Sequence, residues 1–174
     1  DDILDMIDWA SDISVDTPKK TTINANIPTT RQVIEFTDRY MKDTARFTGY
    51  DASEGALYVL FMLTLAMHPM GPSIFSVDSF DHALNPRLAK KMIQVFCEQI
   101  IQNNKHVFLT THNPLVLDGL DLQNDDIRLF AVDRDSNGYA QIRRISVSQE
   151  LIDEGLPLSR LWISGRLGGV PSLL

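Results

Sequence analysis

The chain has 174 residues, with 16 basic and 23 acidic side chains and a formal charge of −7. An acidic balance of this size makes it, by itself, a poor non-specific binder of phosphate backbones. The 44% apolar content argues against disorder, and the length suits one domain with a substantial core. The lone Cys97 excludes a disulfide framework and a cysteine-based zinc site, and it fits a reducing, cytoplasmic setting. The opening Asp1-Asp2-Ile3-Leu4-Asp5 has no basic region and no initiating Met, so a signal peptide is not expected and the sequence reads as a piece of a longer chain.

Taken in order, Ile3, Ile7, Ala10 and Ile13 recur at helical spacing among acidic residues, which predicts an amphipathic helix over 3–13. Residues 14–30 are rich in Thr, Pro, Asn and Lys without an apolar period and read as a loop. Residues 31–41 suit a strand through Val33, Ile34 and Phe36, or a helix through Val33, Phe36 and Tyr40. We therefore set 1–45 apart as an N-terminal helix and loop segment, and 46–174 as the main lobe.

From Tyr50 onward the signals are sharper. Asp51-Ala52-Ser53-Glu54-Gly55 opens an apolar helix that runs to Met67, with acidic residues where the helix dipole favours them. That run ends at His68-Pro69, well short of the roughly 20 residues needed to span a bilayer, so it is read as a buried helix and no membrane is expected as a partner. Residues 73–78 form an apolar run ending on Asp78, read as a central strand. Asn85-Pro86 caps a second helix in which Leu88, Met92, Phe96 and Ile100 recur at steps of four, beside Ala89 and Ile93. A second strand over 106–111 leads into a short helix over 114–120. Residues 127–132 and 139–145 make a strand pair around Asp135-Ser136-Asn137-Gly138, and the end of the chain carries one or two short helices and a glycine-rich tail. The order strand, helix, strand, short helix, strand predicts an α/β fold, with a mostly parallel sheet flanked by helices.

In such sheets chemistry gathers at the carboxyl ends of strands, and Asp78 and Thr111-His112 occupy two such ends. Asp78 suits a Mg²⁺ ion that keeps most of its waters; its plainer role is to start a turn. Asp51 and Glu54 stand at capping-box spacing, whereas Ser53 and Gly55 at a helix N-terminus also suit an anion such as phosphate. His112 reads as a structural or surface histidine, or as a contact to a phosphate oxygen. Cys97, with Ile93 and Ile101 at four-residue spacing, reads as core packing. His82 and His106 have no companion at metal-ligand spacing, so zinc is not expected.

The order of these signals resembles the C-terminal lobe of P-loop ATPases of the ABC and SMC type, and especially the AAA-like ATPases of the OLD (overcoming lysogenization defect) group. Ala52-Ser53-Glu54-Gly55-Ala56 is similar to their signature motif and Ile74 to Asp78 to their Walker B strand. His82-Ala83-Leu84-Asn85 resembles the D-loop, Thr110-Thr111-His112-Asn113-Pro114 the switch-histidine loop, and residues 161–171 the chain end. The resemblance implies ATP and Mg²⁺ as cofactors: Asp78 as the metal residue, His112 toward the γ-phosphate, and Ser53, Glu54 and Gly55 on the nucleotide of a second subunit. It further implies a homodimer formed through ATP, a Walker A lobe of the same protein as partner, and a nuclease or other effector. Nucleic-acid processing or phage defence is the biological setting implied, with nucleic-acid binding left open.

Two departures stand out. Ser79 occupies the place where the family usually has a water-orienting Glu, which leaves Asp81 as the candidate catalytic carboxylate. No G-x-x-x-x-G-K-[ST] occurs in the sequence, so the phosphate-cradling lobe is expected upstream of Asp1. Three readings follow: an ATPase lobe, a non-hydrolysing ATP-dependent dimerisation switch, and a metal nuclease using Asp78, Asp81 and Asp133. The acidic charge opposes the last of these.

Overall fold

A computed structural model describes residues 2–17, 32–41, 46–148 and 154–167. The chain divides into two compact units, Asp1–Gly71 and Pro72–Leu174.

In the first unit, helix α1 (Asp2–Met6) leads into strand β1 (Ala10–Asp16), followed by β2 (Val33–Asp38), β3 (Arg46–Thr48) and helix α2 (Glu54–Met67). The strands pair antiparallel in the order β1-β2-β3, with Ile13 opposite Phe36 and Phe36 opposite Phe47. The single helix expected over 3–13 is therefore corrected. It closes at Met6, the chain turns through Asp8-Trp9, and the remainder is strand. The apolar spacing fits either form locally. Cross-strand pairing decides, because Trp9 can then stack on Phe36 at 5.5 Å and on Phe47 at 6.0 Å around a fully buried Phe36. The same pairing extends β1 as far as Asp16, into the span whose composition predicts a loop, and selects strand over helix for 33–38. Residues 18–31 lie outside the described residues.

Helix α2 forms as expected. Ser53 is its N-cap, with the Ala56 amide donating to Ser53 Oγ at 3.2 Å, and it ends where the His68 amide still reaches the Thr64 carbonyl at 2.9 Å. Ala56, Val59, Met62, Leu63 and Ala66 form its buried stripe, while Phe61 is exposed.

In the second unit, β4 (Ile74–Val77) and β5 (His106–Leu109) pair in parallel, joined through helix α3 (Pro86–Gln102). Asn85 accepts from the Leu88 amide at 3.0 Å, and Pro86 takes the first turn, where its missing N–H costs nothing. Ala89, Met92, Ile93, Val95, Phe96 and Ile100 are the buried face of α3. Phe96 meets Phe75 of β4 at 6.3 Å and Phe80, just past β4, at 5.5 Å. Helix α4 (Pro114–Leu117), the antiparallel hairpin of β6 (Leu129–Arg134) with β7 (Ala140–Ile145), and helix α5 (Leu158–Ile163) complete the unit. A second apolar cluster of Ala131, Ile145, Leu161 and Leu167 joins the hairpin to α5. Asp118, at the end of α4, accepts from both the backbone amide and the hydroxyl of Ser159, each at 2.8 Å, and so fixes the start of α5.

The class is α/β, as the order of elements predicts. Among the described residues the parallel pairing lies between β4 and β5, with antiparallel strands before and after it. No helix among the described residues is long and apolar enough to cross a membrane. Residues 149–153 and the glycine-rich tail over 168–174 lie outside the described residues.

Two predictions follow from this packing. A Cβ at Gly119 would sit 2.3 Å from Ile93 Cγ2 and 2.4 Å from the Lys90 carbonyl oxygen of α3. Gly119→Ala should therefore lower unfolding stability by about 1–3 kcal/mol in denaturant titration. Burial, with the charge of Glu98 beside it, pushes the Cys97 thiol up to about 11. Alkylation at pH 7.5 should be on the order of 10²-fold slower in the native chain than in the unfolded one, because only the thiolate reacts; equal rates would show that its surroundings do not suppress the Cys97 thiolate.

Candidate functional site

Parallel pairing brings the ends of β4 and β5 level. Val77 lies opposite Leu109, so Asp78 leaves one strand where Thr110 leaves the other. The two exits are then stitched together. The Thr110 amide donates to the Val77 carbonyl at 3.1 Å, and the Phe80 amide donates to the Thr110 carbonyl at 2.8 Å. The Thr110 hydroxyl donates to Asp78 Oδ1, and it accepts from the Ser79 amide at 2.9 Å. One residue on, the Thr111 hydroxyl donates to Asp81 Oδ1 at 2.6 Å and accepts from the Asn113 amide at 3.0 Å.

The loop after β4 is held in a sharp turn. Ser79 and Ala83 sit at φ of 54° and 64°, a left-handed conformation that a side chain adopts only when its surroundings impose it. Here the anchor is Phe80, whose side chain is fully buried against Phe96, so the residues on either side of it are carried out toward the strand ends.

Asp78 and His112 are exposed and Asp81 is half-buried. His112 makes no hydrogen bond among the described residues, which sets aside the reading of a satisfied core histidine. Asp78 and Asp81 each have one oxygen held by a threonine, and no other side-chain bond reaches either carboxylate among the described residues. The structure thus brings Asp78, Asp81 and the loop of His112 to one edge of the unit. Thr110 and Thr111 join them, and the family resemblance assigns neither a role. The signal for them in the sequence is slight: two hydroxyls in a row at a strand exit.

Ser53, Glu54 and Gly55 belong to the first unit. Ser53 and Glu54 are exposed and Gly55 is half-buried. The Ser53 oxygen accepts the Ala56 amide, which leaves its hydroxyl proton available to a ligand, next to first-turn amides that lack helical acceptors. Asp51 is not the N-cap of α2. It folds back so that its carboxylate accepts from the Thr48 hydroxyl at 2.9 Å, and Ser53 rather than Asp51 stands where the helix begins.

A divalent cation fits this donor set in one way only. Among the described residues no three His, Cys, Asp or Glu side chains gather as a metal-binding group. Asp78 is a single hard oxygen donor at a strand end, the kind of ligand Mg²⁺ takes when water and substrate phosphates complete its shell. Asp133, the third carboxylate of the nuclease reading, lies within β6 opposite Gln141.

Residues 9–118, well over half of the chain, match the family described as "AAA domain, putative AbiEii toxin, Type IV TA system". No curated protein matches the sequence. A solved chain described under "Structural biochemistry of ATP-driven dimerization and DNA stimulated activation of SMC ATPases" superposes with a TM-score of 0.52 over 88% of this chain and 85% of that one, at 12% identity. An identity that low speaks for the fold alone, and the fold resembles that of this SMC ATPase chain. With an ordered set of strand-end and helix-start motifs inside the matched span, the chain belongs to this AAA-domain family.

Proposed function

We propose that residues 46–174 are the C-terminal lobe of an ABC/SMC-like ATPase of the OLD group, which binds and hydrolyses ATP at a dimer interface together with a Walker A lobe of the same protein. The observation that carries this reading is the pair of threonine bridges that place Asp78, Asp81 and the His112 loop at one strand edge.

Asp78 would hold Mg²⁺ through its oxygen that is free of Thr110. When bound, the ion would neutralise charge on the β- and γ-phosphate oxygens. His112, exposed and without a protein partner among the described residues, would donate a hydrogen bond to a γ-phosphate oxygen. Asp81 would accept the proton of the attacking water on the oxygen that Thr111 leaves open, in the place of the glutamate that Ser79 replaces. Ser53, Glu54 and Gly55 would meet the terminal phosphate of a nucleotide held by a second copy, with the Ser53 hydroxyl and the first-turn amides as donors. Two half-sites of this kind are complete only in the dimer, so nucleotide and second copy favour each other's binding.

The parallel pair β4–β5 adds support. Its outward face carries Ile74 and Phe108, 63% and 71% exposed, and parallel sheets are stable when covered on both faces. A further lobe of the same protein is the simplest cover. Coupling to nucleic-acid processing or phage defence, through a nuclease or other effector, is part of this reading and draws on the family's company; the DNA stimulation named for the SMC chain is a property of that protein.

The second reading is a switch that binds ATP and dimerises without consuming it, and Ser79 favours it, since a hydroxyl is a far weaker base than a carboxylate. Phosphate release and nucleotide-dependent sedimentation of the two-lobed protein separate the two. The ATPase reading expects Mg²⁺-dependent release that Asp78→Ala abolishes; unchanged turnover would remove Asp78 from its role. Under the switch reading, sedimentation responds to ATP while phosphate is not released, and Ser79→Glu raises the rate by something on the order of 10²–10⁴-fold.

A further inference from the structure

We infer that Thr110 and Thr111 are positioning residues: two hydroxyl rungs that lock the carboxylates of Asp78 and Asp81 to the loop carrying His112. The inference rests on the nucleotide-site reading above and deepens it, giving the two threonines whose bonds support that reading a part in metal and water positioning.

The chemistry of the groups fixes the direction of each bond. A carboxylate can only accept and a backbone amide can only donate, so a threonine lying between them must give its single proton to the carboxylate and turn a lone pair to the amide. Thr110 does this between Asp78 Oδ1 and the Ser79 amide, and Thr111 between Asp81 Oδ1 and the Asn113 amide. The two rungs follow one another along the chain after β5, and both cross to the loop after β4. Bonds to an ionised acceptor are about twice as strong as neutral ones, so each rung selects one orientation of its carboxylate.

Two consequences follow. Each acid presents a defined second oxygen, which is what metal and water positioning requires. The loop of His112 also cannot shift without dragging both carboxylates, because Thr110 is tied to Asp78 and to the Ser79 amide beyond β4, while Thr111 ties Asp81 to the Asn113 amide next to His112. A change at the phosphate that His112 touches would thereby reach Asp78 and Asp81 through hydroxyls rather than through a distant rearrangement.

The test uses the two-lobed protein with T110V, T110S, T111V and T111S. Valine keeps the shape and removes the hydroxyl; serine keeps the hydroxyl. Without nucleotide, T110V should speed amide exchange at Ser79 and T111V at Asn113, while both serine variants stay near wild type. With nucleotide, T110V should raise the Mg²⁺ concentration for half-maximal ATP-dependent dimerisation by about 10- to 100-fold, the range over which outer partners tune metal ligands. T111V should lower kcat by something on the order of 10²-fold with KM little changed, as expected for a misplaced acid. Serine should rescue both. If wild type dimerises with ATP and T110V has the same Mg²⁺ requirement, or if T110S fails as T110V does, the rungs are not positioning devices and the nucleotide reading stands. A wild type that neither binds nor turns over nucleotide overturns that reading, and the role of the rungs with it.

Discussion

Parallel pairing of β4 with β5 is the constraint on which the rest of the second unit depends. Two strands running the same way must be joined by a crossover, and α3 supplies it, laying its apolar face over the pair through Phe96. The crossover leaves both carboxyl ends on one edge, where backbone groups run out of ladder partners and polar side chains take over. Thr110 sits at that boundary, still bonded through its amide to Val77 and already bonded through its hydroxyl to Asp78. The candidate site is the natural continuation of the ladder by other means.

Core packing and site geometry are linked by one residue. Phe80 is fully buried against Phe96, although it lies only two positions past Asp78 and one before Asp81. Burying that ring forces Ser79 into a left-handed backbone conformation, which turns the chain hard enough for Asp78 and Asp81 both to meet threonines of the neighbouring strand exit. The departure from the family pattern at Ser79 therefore falls on the residue whose conformation sets the turn. A carboxylate further along, Asp81, is brought by that same turn to the loop of His112.

At the other motif, capping and ligand readings of Ser53 are compatible. The oxygen satisfies the Ala56 amide, which stabilises the start of α2, and the hydroxyl proton remains to be given elsewhere. Just before the helix, the Thr48 hydroxyl donates to the Asp51 carboxylate. The turn over 48–53 thus draws on the Thr48–Asp51 pair, and the helix start on Ser53.

How much of this the sequence determined alone follows from the range of the interactions involved. Elements stabilised by near neighbours were legible: α2 and α3 from apolar period and caps at Ser53 and Asn85, the hairpin from its Asn-Gly turn, and strand exits at Asp78 and His112 from apolar runs that stop on polar residues. Residues 10–16 were not, because Ile3, Ile7, Ala10 and Ile13 satisfy a helical period as well as a strand, and only pairing with β2, far along the chain, breaks the tie. The same holds for the site. Strand ends named Asp78 and His112, and the family resemblance named Asp81, but the bonds that join them span about thirty residues of sequence, Thr110 to Asp78 and Thr111 to Asp81. No local pattern encodes a contact of that length; it exists only once α3 has packed and set the two strands side by side.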